Sequence, residues 1–119
     1  MEIRVAESHE LITLNLKGRL DFASSANLKE EILKLVAEGK NKVILNLAQV
    51  DFINSSGLGT LVSILKEVRL AKGRLVLSNL ASYVEEIFEI TQLSHIFEIF
   101  PSEAEARETF LASPAKVGH

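Results

Sequence analysis

The chain has 119 residues, 47% of them hydrophobic, which suits one compact domain burying roughly two thirds of its unfolded surface and leaves no length for a second. Thirteen Lys and Arg against sixteen Asp and Glu leave a net charge of −3 with no basic block, which excludes the phosphate-neutralising surface of a general nucleic-acid binder. The absence of cysteine removes disulfides, thiolate metal sites and cysteine catalysis; with no signal-peptide pattern and no apolar run near the ~18 residues of a membrane span, a cytoplasmic protein without nucleic-acid or membrane partners is expected.

The hydrophobic period defines the elements in chain order. "EIRVAES", with Ile3 and Val5, and "LITLNLKG", with Leu11 or Ile12 through Leu16, read as two strands joined by a tight turn near His9, an antiparallel pair. From Ser24 to Glu38, Leu28, Ile32, Leu35 and Val36 share one helical face and Gly39 is the stop signal. "KVILNL" is a short branched run, the pattern of a strand buried in the middle of a sheet, and a loop from Ala48 to Ser56 is expected to follow Val43 to Leu47. A second helix then runs to about Ala71, with a stop at Gly73. "RLVLSN" repeats the strand pattern, Ser82 and Glu85 form a capping box for a helix through Glu89, "IFEIF" is a last strand, and Ser102 with Glu105 caps a terminal helix. Residues 112–119 form a tail without periodicity, predicted to fray after a domain over 1–111.

Strands alternating with helices after an opening hairpin predict an α/β fold: a mostly parallel, open sheet of about five strands with right-handed crossovers. Leu28, Ile32, Leu45, Leu47, Leu61, Leu65, Val76 and Ile87 are expected to be buried together. Sheets of this kind place functional loops at the carboxyl ends of their strands, and the loop leaving the central strand contains "NSSGLG", residues 54 to 59.

The chemistry of that stretch is that of a helix start. Ser55 or Ser56 can cap the second helix by accepting a hydrogen bond from an orphan amide, beside a turn that favours anions. Leu58, Leu61, Val62, Leu65 and Val68 make the buried stripe, whereas Gly59, Thr60, Ser63, Lys66 and Glu67 lie towards solvent. Glycine inside a helix costs about 1 kcal/mol relative to alanine, so Gly59 on the exposed face implies close approach by something to the backbone. Taken alone, this chemistry does not outweigh a plainer reading in which Ser56 is an N-cap and Gly57 and Gly59 ease packing.

Catalytic readings fail on the same letters. A phosphate-cradling loop needs Lys after its second glycine, where Thr60 stands; a dinucleotide fingerprint lacks its third glycine at Val62; a hydrolase elbow needs glycine before the nucleophile, where Asn54 stands. His9 and His95 have no ligand spacing, and Asp21 and Asp51 each precede a Phe at an element boundary, where turns and caps explain them. The chain is expected to be neither an enzyme nor a holder of a metal or cofactor.

Two separated segments, "LNLKGRLDFASSANLKEEI" and "VILNLAQVDFINSSGLGTLVSILKEVRLAKGRLVLSNL", resemble the STAS-domain anti-sigma factor antagonists of bacteria over most of the chain. The resemblance implies an open α/β sheet with helices mainly on one side. It implies that Ser55 is phosphorylated by an anti-sigma factor that is also an ATP-dependent serine kinase, and that Gly18, Arg19, Leu20 and Asp21 form the neighbouring loop. Unphosphorylated, the protein would bind that kinase and free a sigma factor; phosphorylation at Ser55 would end the cycle, and a serine phosphatase would reset it. Asp21, Asn54, Ser55, Ser56, Gly57, Gly59, Ser63 and Lys66 are the expected partner-binding residues. Asn54 departs from the family pattern, which has Asp before the phosphoacceptor. Ser56, nearer the helix, is expected to serve as the cap. The alternative within the same family is a scaffold or ligand-sensing module in stress signalling that has no phosphorylation cycle.

Overall fold

Strands β1 (Glu2–Ser8) and β2 (Leu11–Leu20) form the opening hairpin in a computed structural model that describes residues 1–112. His9 and Glu10 have φ of 53° and 67°, two consecutive left-handed residues as in the hairpin turns whose twist matches their strands. Then follow α1 (Phe22–Ala37), β3 (Lys42–Ile53), α2 (Ser55–Leu70), β4 (Arg74–Ser78), α3 (Ser82–Ile90), a 3-10 turn at Leu93–His95, β5 (Glu98–Phe100) and α4 (Glu103–Ala112). The strands lie side by side in chain order, β1 antiparallel to β2 and each later pair parallel, as the alternation of elements predicts. Of the predicted tail, residues 113–119 lie outside the described residues.

Side-chain parity along the strands assigns the two faces of the sheet. Ile12, Leu14, Leu16, Val43, Leu45, Leu47, Leu75 and Leu77 pack with Leu28 and Ile32 of α1, Leu61, Ile64, Leu65 and Val68 of α2, and Val84 and Phe88 of α3. Leu11, Ile44 and Val76 point the other way, against Ala106 and Phe110 of α4. Three helices therefore cover one face and one covers part of the other. Val76 does not join the predicted cluster, because it alternates with Leu75 and Leu77 in β4; Ile87 is only partly buried, at the edge of the main core. Arg74 fastens α4 to the sheet edge. Its guanidinium donates to both Glu98 carboxylate oxygens at 2.9 and 2.6 Å, donates to Thr109 at 3.0 Å and stacks over the Phe110 ring, 4.4 Å from its centroid.

The main departure from expectation is the length of β3. The predicted loop from Ala48 to Ser56 does not exist; the strand continues to Ile53, and only Asn54 separates it from α2. The extra residues pair with the second half of β2, Lys17 with Gln49, Gly18 with Val50, Arg19 with Phe52 and Leu20 with Ile53. Register shifts between Asn15 and Lys17 and between Gly18 and Arg19 interrupt the ladder. They also hide the strand in the sequence: the inward residues Leu47, Val50 and Ile53 fall three apart, so the period of two that marks a strand is lost.

Two helix starts differ from expectation in the same sense. α1 begins at Phe22 rather than Ser24, with Asp21 as its cap, and α3 has Ala81 at its cap position, so that Ser82 is already helical and makes no side-chain cap. The expected cap at Ser102 is present, the Glu105 amide donating to Ser102 Oγ at 3.2 Å.

Leu65, 4% exposed within the main core, is expected to lose about 2 to 5 kcal/mol on truncation to alanine, as large-to-small core changes do. Denaturant unfolding of Leu65→Ala checks this, and a midpoint equal to that of the parent would contradict the packing of α2 described above.

Candidate functional site

The carboxyl ends of β2 and β3 lie side by side, with Leu20 opposite Ile53, and each strand turns into a helix through one residue. The two turns have nearly the same backbone. Asp21 has φ −118° and ψ −166°, and Asn54 has φ −118° and ψ −176°. Each side chain accepts a hydrogen bond from the amide three residues on, Ser24 N to Asp21 Oδ1 at 3.1 Å and Gly57 N to Asn54 Oδ1 at 2.9 Å. These are N-caps of the ordinary kind. At Asp21 the box closes, since its own amide donates to Ser24 Oγ at 3.0 Å. The Ser24 amide, and after it the Ser24 hydroxyl, holds the Asp21 carboxyl below its usual pKa, with Arg19 adding a smaller effect.

Gly57 stands where α1 has Ser24. A Cβ at Gly57 would collide with the Leu20 carbonyl oxygen, so the close approach of the two strand-to-helix turns requires glycine there. Gly59 is different: a Cβ added to it meets nothing within 4 Å, and the residue is exposed. The fold gives no reason for a glycine at that position.

The cap assignment corrects the expectation for Ser56. Asn54, and not either serine, caps α2, because β3 extends to Ile53 and Asn54 is the first residue to leave it. Ser55 and Ser56 occupy the first two helical positions, and both are exposed. Thus Asp21, Asn54, Ser55, Ser56 and Gly57 are brought together at one end of the sheet, with Gly59 one turn along α2. Lys66 is exposed on the same helix, eleven residues after Ser55 and so about 16 Å away at the rise of a helix. Ser63 is half-buried, not outward as expected; its hydroxyl accepts from Lys29 Nζ of α1 at 2.7 Å.

Three features of this end were not anticipated from sequence. Ser25 Oγ donates to Thr60 Oγ1 at 3.1 Å, which with the Lys29 contact makes a polar seam between α1 and α2. Phe22 follows the Asp21 cap and is 76% exposed. On the other side of the strand ends, the Arg19 guanidinium lies 3.9 Å from the Phe52 ring centroid and 4.0 Å from Asp21 Oδ2. The spacing of Phe22, Ser25 and Lys29 on one helical face was the available signal for the seam.

Comparison with known proteins assigns this arrangement to a family. Residues 2–106 match the model of the STAS domain. BtrV of Bordetella bronchiseptica is 30% identical over 110 residues, 92% of this chain and 95% of that one. The anti-sigma-B factor antagonist of Bacillus subtilis is 31% identical over 99 residues, 83% of this chain and 90% of that one. The Bacillus anti-sigma factor antagonist SpoIIAA in its unphosphorylated form has the same fold, with TM-score 0.72 at 20% identity over 92% of this chain and 97% of that one. Its phosphorylated form matches with TM-score 0.72 as well, at 22% identity over 92% and 99% of the two chains.

The geometry predicts an ordered series in unfolding experiments. Asn54→Ala loses about 0.5 to 2 kcal/mol with its cap, whereas Ser56→Ala changes stability by less than about 0.5 kcal/mol. Gly59→Ala gains up to about 1 kcal/mol, and Gly57→Ala is destabilised by its collision with Leu20. A Ser56→Ala protein as unstable as Asn54→Ala would contradict the cap assignment.

Proposed function

The chain belongs to the STAS-domain family, and on that premise we propose that it is an anti-sigma factor antagonist switched by phosphorylation of Ser55. In its unmodified form it binds an anti-sigma factor serine kinase over the start of α2 and frees a sigma factor. The kinase then transfers the γ-phosphoryl group of ATP to Ser55 Oγ, with loss of the hydroxyl proton and release of ADP, and the complex separates. A serine phosphatase restores the free hydroxyl.

The observation that carries this reading is the division of labour at the turn. Asn54 supplies the cap, so the Ser55 hydroxyl stands exposed at the first helical position and is not engaged in holding the helix. The replacement of the family's Asp by Asn54 fits the same picture. An amide oxygen accepts the Gly57 N–H as a carboxylate oxygen does, and it leaves one fewer negative charge beside an incoming phosphate.

The switch needs no change of fold. A phosphoryl group adds about 1.5 to 2 negative charges, which the free amides at the start of α2 accommodate in water. Under a docked partner the same group has to be desolvated, and docking is lost unless the partner supplies cations there. Support for a common fold in both states comes from SpoIIAA, whose two forms match this chain equally well.

Incubation with the anti-sigma factor kinase and ATP, followed by peptide mass spectrometry, tests the assignment. Phosphate is expected on Ser55, and Ser55→Ala is expected to bind the kinase while remaining unmodified. Phosphate found on Ser56 alone would overturn it.

A further inference from the structure

Resting on the partner-binding reading above, the geometry points to Phe22 as an aromatic anchor, by which the anti-sigma factor holds the start of α1 while it docks over α2. Two hydrogen bonds set how these helices lie against each other, Ser25 to Thr60 at 3.1 Å and Lys29 to Ser63 at 2.7 Å. Both helices leave the same ends of adjacent parallel strands and run in the same direction. Each contact joins residues 35 or 34 apart in sequence. Residues 22, 25 and 29 share one face of α1, and residues 56, 60 and 63 share one face of α2. One turn nearer the N-termini, the same ladder therefore sets Phe22 level with Ser56, the neighbour of the phosphoacceptor.

At that level nothing covers the ring. Phe22 is the most exposed large hydrophobic side chain among the described residues, and the groups that start both helices, Asp21, Asn54, Ser55 and Ser56, are too small and polar to shield it. Local preferences do not account for a phenylalanine there either. The first helical turn favours acidic residues and proline, and phenylalanine is a middling helix former. Burying such a ring in a partner removes on the order of 150 Å² or more from water, the contribution typical of an interface anchor.

The surface has a definite character. Phe22 supplies an apolar knob beside two hydroxyls. The charged group beside it is the Asp21 carboxylate, and Lys29, two turns along α1, is held in the seam with its Nζ on Ser63 at 2.7 Å. The complementary surface on the kinase is an apolar socket with hydrogen-bonding groups at its rim. The placement also makes the switch more effective. A phosphate on Ser55 stands at the start of the neighbouring helix, one residue before the level of the ring, so a socket that spans both helix starts cannot close over Phe22 without stripping water from the new charge.

Calorimetric titration of the full chain with the anti-sigma factor kinase purified from the same organism tests this, using Phe22→Ser, Phe22→Tyr and Gly59→Trp. The anchor predicts binding at least tenfold weaker for Phe22→Ser, within about threefold of the parent for Phe22→Tyr, and strongly reduced for Gly59→Trp, with parental unfolding midpoints for the Phe22 variants and a midpoint no lower than the parent's for Gly59→Trp. Parental affinity in Phe22→Ser together with loss in Gly59→Trp would overturn the anchor and leave the docking of α2 standing. A lowered midpoint in Phe22→Ser would assign the ring to the fold and overturn the anchor too. A parent that does not bind the kinase at all overturns both readings together.

Discussion

Leu20 and Ile53 sit opposite each other at the ends of two parallel strands, and the chain leaves both strands through a single capping residue. This pairing constrains everything at that end of the sheet. It brings two helix N-termini within about one strand spacing, roughly 5 Å, forces glycine at position 57 against the Leu20 carbonyl, and sets the offset at which α1 and α2 run together. Two helix dipoles with their positive ends side by side would repel if left bare. Here each is met by a side-chain oxygen, a carboxylate at Asp21 and a neutral amide at Asn54. The charge is thus placed on the turn of α1, and the turn that carries Ser55, the proposed phosphoacceptor, is kept neutral.

Much of the fold was legible because it rests on local pattern. The hairpin turn at His9, the strand "RLVLS", the cap at Ser102 and the stripe of Leu28 and Ile32 all combine hydrophobic period with turn or cap chemistry at fixed offsets. The end of β3 was illegible for a definite reason. Two register shifts place Leu47, Val50 and Ile53 three apart, and no local pattern marks residues 48–53 as a strand whose partner lies some thirty residues earlier in the chain. The misplacement of the cap on Ser56 followed directly from that error. Val76 shows the other limit: an apolar run such as "LVL" is buried on both faces, and parity alone does not say which helix covers which face.

The candidate site was legible in its members more than in their roles. "NSSGLG" marks the turn, but which residue caps, which glycine is forced and which serine is free depend on contacts with Leu20 and on the strand end, both set by tertiary structure. Gly57 has a structural reason in the Leu20 carbonyl, whereas Gly59, exposed as its helix position implied, has none within the chain. Ser63 looked outward by spacing and is instead tied to Lys29. Of residues 56, 59, 63 and 66, which spacing places outward, Ser63 is therefore withdrawn from the surface proposed for a partner.

The central claim is that a docked partner covers the Ser55 hydroxyl and cannot tolerate charge there. It is tested most directly by measuring the affinity of the anti-sigma factor kinase for the unmodified protein and for the protein phosphorylated at Ser55, at one salt concentration. The account predicts an affinity at least tenfold weaker for the phosphorylated form, a difference of about 1.4 kcal/mol or more, with the two forms sharing the same far-ultraviolet circular dichroism. Equal affinities would contradict it.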